Sequence, residues 1–464
     1  MSFLQTVKGW FSILISSRAK EEFNIEPIQS GEMDAWVNEC VSIYQGNPSW
    51  INTEDHIDSI NFAKALCEET ARLTTLGIGI HVDGSARAKW LQQQIDNKVY
   101  YQLREWIEYG CAYGTVILKP NDDTVQLYKY GEFEVTHFTN GTIDGVVFHN
   151  VKKVNDNYYT RLEYHRFIDK YYVITNKCYV GKSENDAKRK IDIKLTPWAD
   201  LKEEVFIENI EKPLFGVFRT PNANNIHLGS PYGLPIFSEA VQELRDLDIA
   251  YSRNAKEIVD SKRTVLIDSD RLFVSGKKLK NATAHASVMP DYVKTVEGTG
   301  GLDSDVYHEI NPQLNTETRL KGINALLGQI GYKSGYSNGH YLYNESRGIM
   351  TATQVEADQQ RTIQSIKDIR DKVENCINCL IYALNVFADL YNYAPAGNWE
   401  TVFDFGDITY NHEEDRIRWW GFVQAGKVPA WKYFVKFEGM TEEEAKEMVA
   451  EATPKTPKLF GGEE

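Results

Sequence analysis

Tyr332–Met350 reads YKSGYSNGHYLYNESRGIM, a glycine- and tyrosine-rich stretch set between two segments of helical periodicity. Ahead of it, Asn315 is placed to cap a short helix whose apolar residues Leu320, Ile323, Leu327 and Ile330 fall three and four apart, with Gly331 placed to end it. Behind it, Thr353 and Glu356 form a capping box, and apolar residues run on at helical spacing through Ile363, Ile366, Val373, Ile377, Leu380, Leu384 and Phe387. A helix over Thr353–Leu390 would be about 57 Å long at 1.5 Å per residue. A long rigid element therefore carries a polar, aromatic loop, and loops of this length are a common seat of function.

The chain has 464 residues, 42% apolar, with 51 basic and 66 acidic side chains for a net charge of -15, and a mean hydropathy of -0.44. Such a composition describes a globular protein with room for more than one core. An acidic body gains no counterion release from DNA, which disfavours tight non-specific adhesion while leaving DNA as something that slides past. Six scattered cysteines give no disulfide framework, and a reducing cytoplasm is the simplest setting. Cys376 and Cys379 form a CxxC inside the long helix, with no second pair and no preceding strand, so buried thiols packing a helix face are expected there. At the start, Phe3, Val7, Trp10, Phe11 and Leu14 line one side of a helix, an amphipathic packing element rather than a membrane anchor. No segment approaches the eighteen or so continuous apolar residues of a spanning helix.

The first hundred residues read as helical: Ser30 precedes a face of Met33, Trp36, Val37, Cys40, Val41 and Tyr44, then come Ile57 to Leu76 and Ala86 to Tyr109. From Cys111 the pattern changes to short alternating runs (TVILK, TVQLYKY, GVVFHNV, YYTRLEYHRF, KYYVIT), with Asn140-Gly141 as a two-residue hairpin signal, so the middle third is expected to be antiparallel sheet. At SPYGLPIFSEA the chain switches to a helix expected over Leu234–Lys262, about 43 Å long. A compact insertion, Arg263–Pro312, carries the strand-like runs RTVLI, RLFV, YVKTV and VYHEI. The tail from Asp404 reads as helical: His412 to Gln424, a break at Gly426–Pro429, and TEEEAKEMVAE, which caps itself through Thr441 and Glu444. The fold class is α+β.

Motifs of catalysis are sparse. There is no GxxxxGK[ST], HExxH or EF-hand loop, and no serine elbow is expected. His412-Glu413-Glu414-Asp415 cannot grip one ion, because adjacent helix positions point in different directions. No pair of carboxylates is singled out at glycosidase separation. No catalytic residue, metal or cofactor is expected.

The order of parts resembles the portal protein of tailed bacteriophages, in the type found in long-tailed phages of Gram-positive hosts. The likeness is carried by VNECVSIYQGNPSW (Val37–Trp50), FRTPNANNIHLGSPYGLPIFSEAVQELRDLDIAYS (Phe218–Ser252), GIMTATQVEADQQRTI (Gly348–Ile363) and DFGDITYNHEEDRIRWWGFVQAGKVPAWKYF (Asp404–Phe434), each weakly specific alone and strong in their order. The resemblance implies a portal-like fold: a wing over residues 1–232, stem helices over 233–262 and 315–331, a small α/β clip over 263–314, a tunnel loop over 332–350, a long wing helix over 351–394, and a helical crown over 395–464. It implies a homo-oligomeric ring, a dodecamer in the virion, at one capsid vertex of a particle assembled in the host cytoplasm. The ring would be the channel for double-stranded DNA, without sequence specificity, in packaging and ejection. Its partners would be a terminase motor, a head-tail connector or adaptor, scaffolding protein and the major capsid protein, with no membrane involved.

Within that scheme Lys333, Tyr336, His340, Tyr341, Tyr343, Asn344 and Arg347 are the expected DNA-facing loop residues, and Gly335, Gly339 and Gly348 the hinges. Glu317, Arg319, Lys321 and Asn324 would line the channel from the second stem helix. Several of the tyrosines could instead pack against neighbouring subunits. Two other classes share the composition: a different capsid or connector protein, which would assemble without a central channel, and an acidic carbohydrate-active hydrolase, which would show a pocket with close carboxylates.

Overall fold

The computed structural model describes residues 18–452 except 27, 29, 52–53, 55, 122–123, 140, 184–188, 262–263, 269–292, 297–306, 311–313, 338, 343–351, 407–411 and 439, with backbone only at 264–268, 293–296, 307–309, 352–358, 412–415, 418 and 452. The amphipathic helix expected from Phe3 to Leu14 lies outside these residues.

Serine 30 starts the first helix as expected: its hydroxyl accepts from the Met33 N–H at 3.2 Å, and α1 (Gly31–Tyr44) buries Met33, Val37, Cys40 and Ile43 at helical spacing. Helix α2 (Phe62–Thr74) is shorter than the periodicity of Ile57–Leu76 suggests. The residues before it are drawn to a distant carboxylate instead: Asp248 accepts from the Trp50 indole at 2.9 Å and the Ile60 N–H at 3.0 Å, and the Asp58 N–H donates to Ser252 at 3.0 Å. The expected single helix Ala86–Tyr109 is two, α3 (Ala86–Lys98) and α4 (Leu103–Tyr113). An unanticipated strand, β1 (Gly79–Gly84), precedes them.

From Thr115 the chain is antiparallel sheet. Strands β2 (Thr115–Asn121), β3 (Thr124–Lys129) and the later β10 (Gly216–Arg219) form one sheet in the order β10-β2-β3. Strands β4 (Phe133–Thr139), β5 (Thr142–Val154), β6 (Asn157–Ile168), β7 (Tyr171–Gly181) and β8 (Arg189–Ile191) form a second, joined by β9 (Glu204–Glu208) on β7. The Asn140-Gly141 signal holds, with Thr139 paired to Thr142 across a two-residue turn. Two more such turns follow, between Val154 and Asn157 and between Ile168 and Tyr171, led by Asn155 and Asp169 in the left-handed region. One face of these sheets meets α1 in a core of Met33, Val37, Ile117, Tyr128, Phe133, Val146, Phe148 and Phe215.

Residues Tyr232, Leu234, Ile236 and Phe237 are buried at this junction, and their backbone is bound to strands and helix ends: Thr220 Oγ1 donates to the Leu234 carbonyl at 2.7 Å and the Ile236 N–H to that of Cys111 at 3.0 Å. The helix expected from Leu234 therefore starts later. A 3-10 turn at Ser238–Ala240 leads into α5 (Val241–Asp260). Beyond it, β11 (Thr264–Asp268), β12 (Val293–Val296) and β13 (Tyr307–Ile310) form a separate sheet in which β11 pairs parallel to β12 and antiparallel to β13. These match RTVLI, YVKTV and VYHEI; RLFV lies outside the described residues.

The chain returns through α6 (Thr316–Lys333) to α7 (Ala352–Tyr391), 40 residues long. Helix α7 packs on β10 and β2, where Gly216 is required: a Cβ there would sit 2.2 Å from the Cys376 carbonyl oxygen. The CxxC thiols are unoxidised, Cys376 buried and Cys379 half-buried, and burial pushes both up in pKa. Strand β14 (Trp399–Asp404) then pairs antiparallel with β1. Residues 395–404, expected to open the crown, thus belong with the first part of the chain, and the two compact units divide after Asp404. The second unit holds α8 (His412–Gln424), α9 (Ala430–Glu438) and α10 (Glu442–Ala452). Its capping box forms as read: the Thr441 N–H donates to Glu444 Oε2 at 3.0 Å, holding that carboxyl below its usual range.

Candidate functional site: a loop clamped by two helices

Helices α5 and α6 run antiparallel and are tied at both ends by charge, Glu243 to Lys333 at 2.5 Å and Glu257 to Arg319. Ile323, Leu327 and Ile330 are buried, as the spacing predicts. Tyr251, Ile258 and Val259 on α5 and Leu320 on α6 stay exposed.

Helix α6 does not stop at Gly331. It continues to Lys333 and ends on Gly335, whose φ of +90° supplies the left-handed residue of a Schellman motif: the Tyr336 N–H donates to the Gly331 carbonyl at 2.8 Å and the Gly335 N–H to that of Tyr332 at 3.2 Å. Gly331 serves packing, since a Cβ there would lie 3.3 Å from the Tyr341 ring.

The next residues are held from two sides. Towards α2, Tyr336 is 2% exposed and its hydroxyl lies 2.5 Å from Thr70 Oγ1, which itself donates to the Leu66 carbonyl at 2.7 Å. Its ring meets His340 (4.9 Å) and Tyr341 (5.0 Å), and Tyr341 meets the edge of Phe62 at 5.2 Å. His340 Nε2 is 3.7 Å from Glu69, a carboxylate that two hydrogen bonds from Arg72 hold below its usual pKa. Towards α7, the Ser337 N–H donates to Thr362 Oγ1 (2.8 Å), Ser365 Oγ to the Gly335 carbonyl (2.7 Å) and Arg361 to that of Tyr332 (3.0 Å), with the guanidinium 3.9 Å above the Tyr332 ring.

This geometry corrects three of the expected assignments. Tyr336, enclosed by its own chain, offers no face to DNA and is an anchor; half-buried Tyr341 belongs to the same ring cluster. Gly335 is a fixed helix stop rather than a hinge, since a Cβ on it would lie 2.7 Å from Ser365 Oγ. Arg319 pairs with Glu257 on α5 and keeps 38% of its side chain exposed. Lys333 pairs with Glu243 yet keeps 38% of its side chain exposed, and His340 keeps 23%. Gly339 has a φ of +84°. Glu317 and Lys321 share an exposed face, joined at 2.8 Å, and Asn324 is half-buried. Tyr343, Asn344, Arg347 and Gly348 lie outside the described residues.

Sequence reasoning passed over two things here. The polar side chains that hold the loop (Thr70, Glu69, Arg361, Thr362, Ser365) had one visible signal, the break that Thr362 and Ser365 make in an otherwise apolar helix face. Contrary to the expectation of no serine elbow, Gly335-Tyr336-Ser337-Asn338-Gly339 has the GxSxG spacing. The structure gives it another context: it follows a helix rather than a strand, Ser337 is buried, and its Oγ accepts from the Thr362 N–H at 3.2 Å. Among the described residues, no cluster of three or more His, Cys, Asp or Glu side chains could hold a metal ion, and no helix is long and apolar enough to cross a membrane.

No protein-family model matches the chain. Over 188 residues, 36% of this chain, it is 26% identical to lysophospholipase NTE1 of Eremothecium gossypii, and it spans 12% of that protein's length. It is also similar to a chain of the solved "Neck of native GTA particle computed with C12 symmetry", at 12% identity and a TM-score of 0.39, covering 89% of this chain and 95% of the other.

Proposed function

We propose that this chain is a portal-type subunit, a structural protein rather than an enzyme, whose copies close head-to-tail into a ring around a DNA channel at a capsid vertex. The observation that carries the reading is the α5–α6 pair. Two helices tied to each other at both ends, with a small separate sheet between them, leave Tyr251, Ile258, Val259 and Leu320 exposed, 49%, 53%, 61% and 36% respectively. Apolar side chains in such a row are covered by a second copy in a head-to-tail ring, where each subunit uses two different faces. The segment order and the motif stretches quoted above support the same reading. DNA contact falls to the distal loop, Tyr343, Asn344 and Arg347, with the exposed parts of Lys333 and His340, and to Glu317 and Lys321 on the helix. The β11–β13 sheet is the surface for the packaging motor or connector.

Negative-stain images and light scattering of the purified protein test this. Rings with a central hole are expected, and the double variant Ile258→Asp/Val259→Asp should remain folded, because both side chains are already in water, yet fail to assemble. A wild-type protein that stays monomeric over a range of salt sinks the proposal, and a closed oligomer without a hole favours another capsid or connector protein.

A further inference from the structure

Charge is distributed unevenly along this chain. Between Lys152 and Lys194 there are eleven Lys and Arg against six Asp and Glu, a net of +5 inside a protein of -15. The sheet register gathers much of that excess at one end. Lys152 pairs with Tyr159, Tyr159 with Val180 and Val180 with Arg189, so Lys152 and Arg189 stand on one face three strands apart, about 14 Å at the usual strand spacing. Lys153, one residue on, projects to the other face opposite Tyr158, and Lys182, Lys190 and Lys194 border the same end; all six cations are exposed.

Carboxylates leave Lys152, Lys153 and Arg189 unanswered among the described residues. The Lys152 ammonium lies over the Trp198 ring at 5.4 Å and that of Lys153 over Tyr158 at 5.3 Å, contacts that position a cation without neutralising it. Lys182 donates to the neutral Asn157 side-chain oxygen at 2.9 Å, and Lys190 is offset by Glu22 at 2.5 Å. Among the described residues no carboxylate pairs with Lys152, Lys153 or Arg189.

We infer that this hairpin end of the six-stranded sheet, centred on Lys152, Lys153 and Arg189, binds the phosphate backbone of double-stranded DNA, as a site separate from the loop between α6 and α7. The geometry favours a duplex over an acidic peptide. The cations are spread across four strand ends over about 14 Å and lie on both faces of the sheet, and a duplex carries a phosphate about every 1.7 Å of axis and presents about eight of them over that distance. Contacts of this kind read no base sequence.

Anisotropy of a short fluorescein-labelled duplex of arbitrary sequence, titrated with the full-length protein over a series of salt concentrations, tests the site. Lys152→Glu/Lys153→Glu/Arg189→Glu should weaken binding at low salt by at least about tenfold and reduce the slope of log affinity against log salt by about 3. The neutral variant with Gln at the same three positions should lie between it and wild type, and provides the reading should the charge-reversed protein misfold. A charge-matched control at the exposed Lys170, Lys202 and Lys212 should change affinity far less, as should Arg347→Ala in the loop. The inference is overturned if wild type does not bind the duplex, if the control triple weakens it equally, if the loop variant alone carries the loss, or if poly-glutamate displaces the duplex charge for charge. None of these outcomes depends on ring formation, so they stand apart from the assembly test.

Discussion

Buried charge in this fold is concentrated on Glu163, whose carboxylate meets Lys119, Arg161 at 2.9 Å, His165 at 3.0 Å and Asn150 at 3.3 Å. Burial alone would push that carboxyl up; the Arg161 and Lys119 cations and the His165 hydrogen bond hold it well below the usual range. The nearby histidines go the other way. Burial lowers the pKa of the His165 imidazole despite Glu163, and pushes that of His149 down to about 3. The sign of the pH dependence follows. An unfolded chain takes up protons on both rings from about pH 6.5 while the folded chain takes them up only at lower pH, so stability falls as pH drops from there, by up to about 1.4 kcal/mol per pH unit for each histidine. The contribution of Glu163 is intact above about pH 4.5 and is lost only as pH falls through its depressed pKa. Urea unfolding between about pH 6.5 and 5, compared between wild type and a variant lacking one ring, reads the contribution of that histidine. His149→Leu should shallow that slope by one proton; an unchanged slope would mean that His149 is already charged in the folded protein. None of this was legible in the sequence, because His149 and His165 sit in alternating runs that promise one buried face, whereas consecutive residues on both faces are buried there.

At the scale of elements, alternation and turn chemistry located the sheet, helical spacing located α1, α6 and α7, and in the tail α8 and the self-capped α10 were read while α9 was not. The ends of elements were misread where tertiary contacts decide them. Gly331 and Gly335 are four apart and either could stop a helix from sequence alone; the Tyr341 ring needs the first, and the Schellman turn needs the second. The two glycines can be told apart by substitution. Ala at 335 must hold a left-handed φ and place a Cβ 2.7 Å from Ser365 Oγ, a cost of at least about 1–2 kcal/mol. Ala at 331 gains up to about 1 kcal/mol of helix propensity against a 3.3 Å contact with one flexible ring edge. Denaturant unfolding should therefore show Gly335→Ala as clearly the more destabilised of the two. The reverse order would put the helix end back at Gly331. As for the loop, its glycines and tyrosines were visible at once, but the partners that bury Tyr336 lie on α2, some 266 positions earlier, and no local pattern reports them.

At the scale of the whole molecule, the first compact unit is closed by its own last segment. Arg370 on α7 caps the end of α2 by donating to the Leu73 and Thr74 carbonyls at 2.9 and 3.1 Å. Arg87 on α3, 1% exposed, caps the end of α7 through the carbonyls of Asn385 (2.9 Å), Ala394 (2.6 Å) and Pro395 (3.1 Å), with Asp389 as its counter-ion. Strand β14 then supplies the partner of β1, some 320 positions away in sequence, a pairing that no local pattern could have announced. Two arginines and one strand thus bind the start of the unit to its end, which is why residues 1–232 are not a domain by themselves. Truncation separates the consequences. A chain ending at Asp404 keeps every one of these contacts and should melt with the cooperative transition that the full-length protein shows for this unit. A chain ending at Asn398 loses β14 whole, leaves the backbone groups of β1 that faced it unpaired, and uncovers Ile80 and Val82, now 2% and 3% exposed. Two such side chains are worth about 1.5–3 kcal/mol each when fully buried, before the unpaired strand is counted. Thermal unfolding followed by circular dichroism should place the shorter chain well below the longer. Equal melting temperatures would mean that β14 is an ornament on the unit and that the division belongs before it.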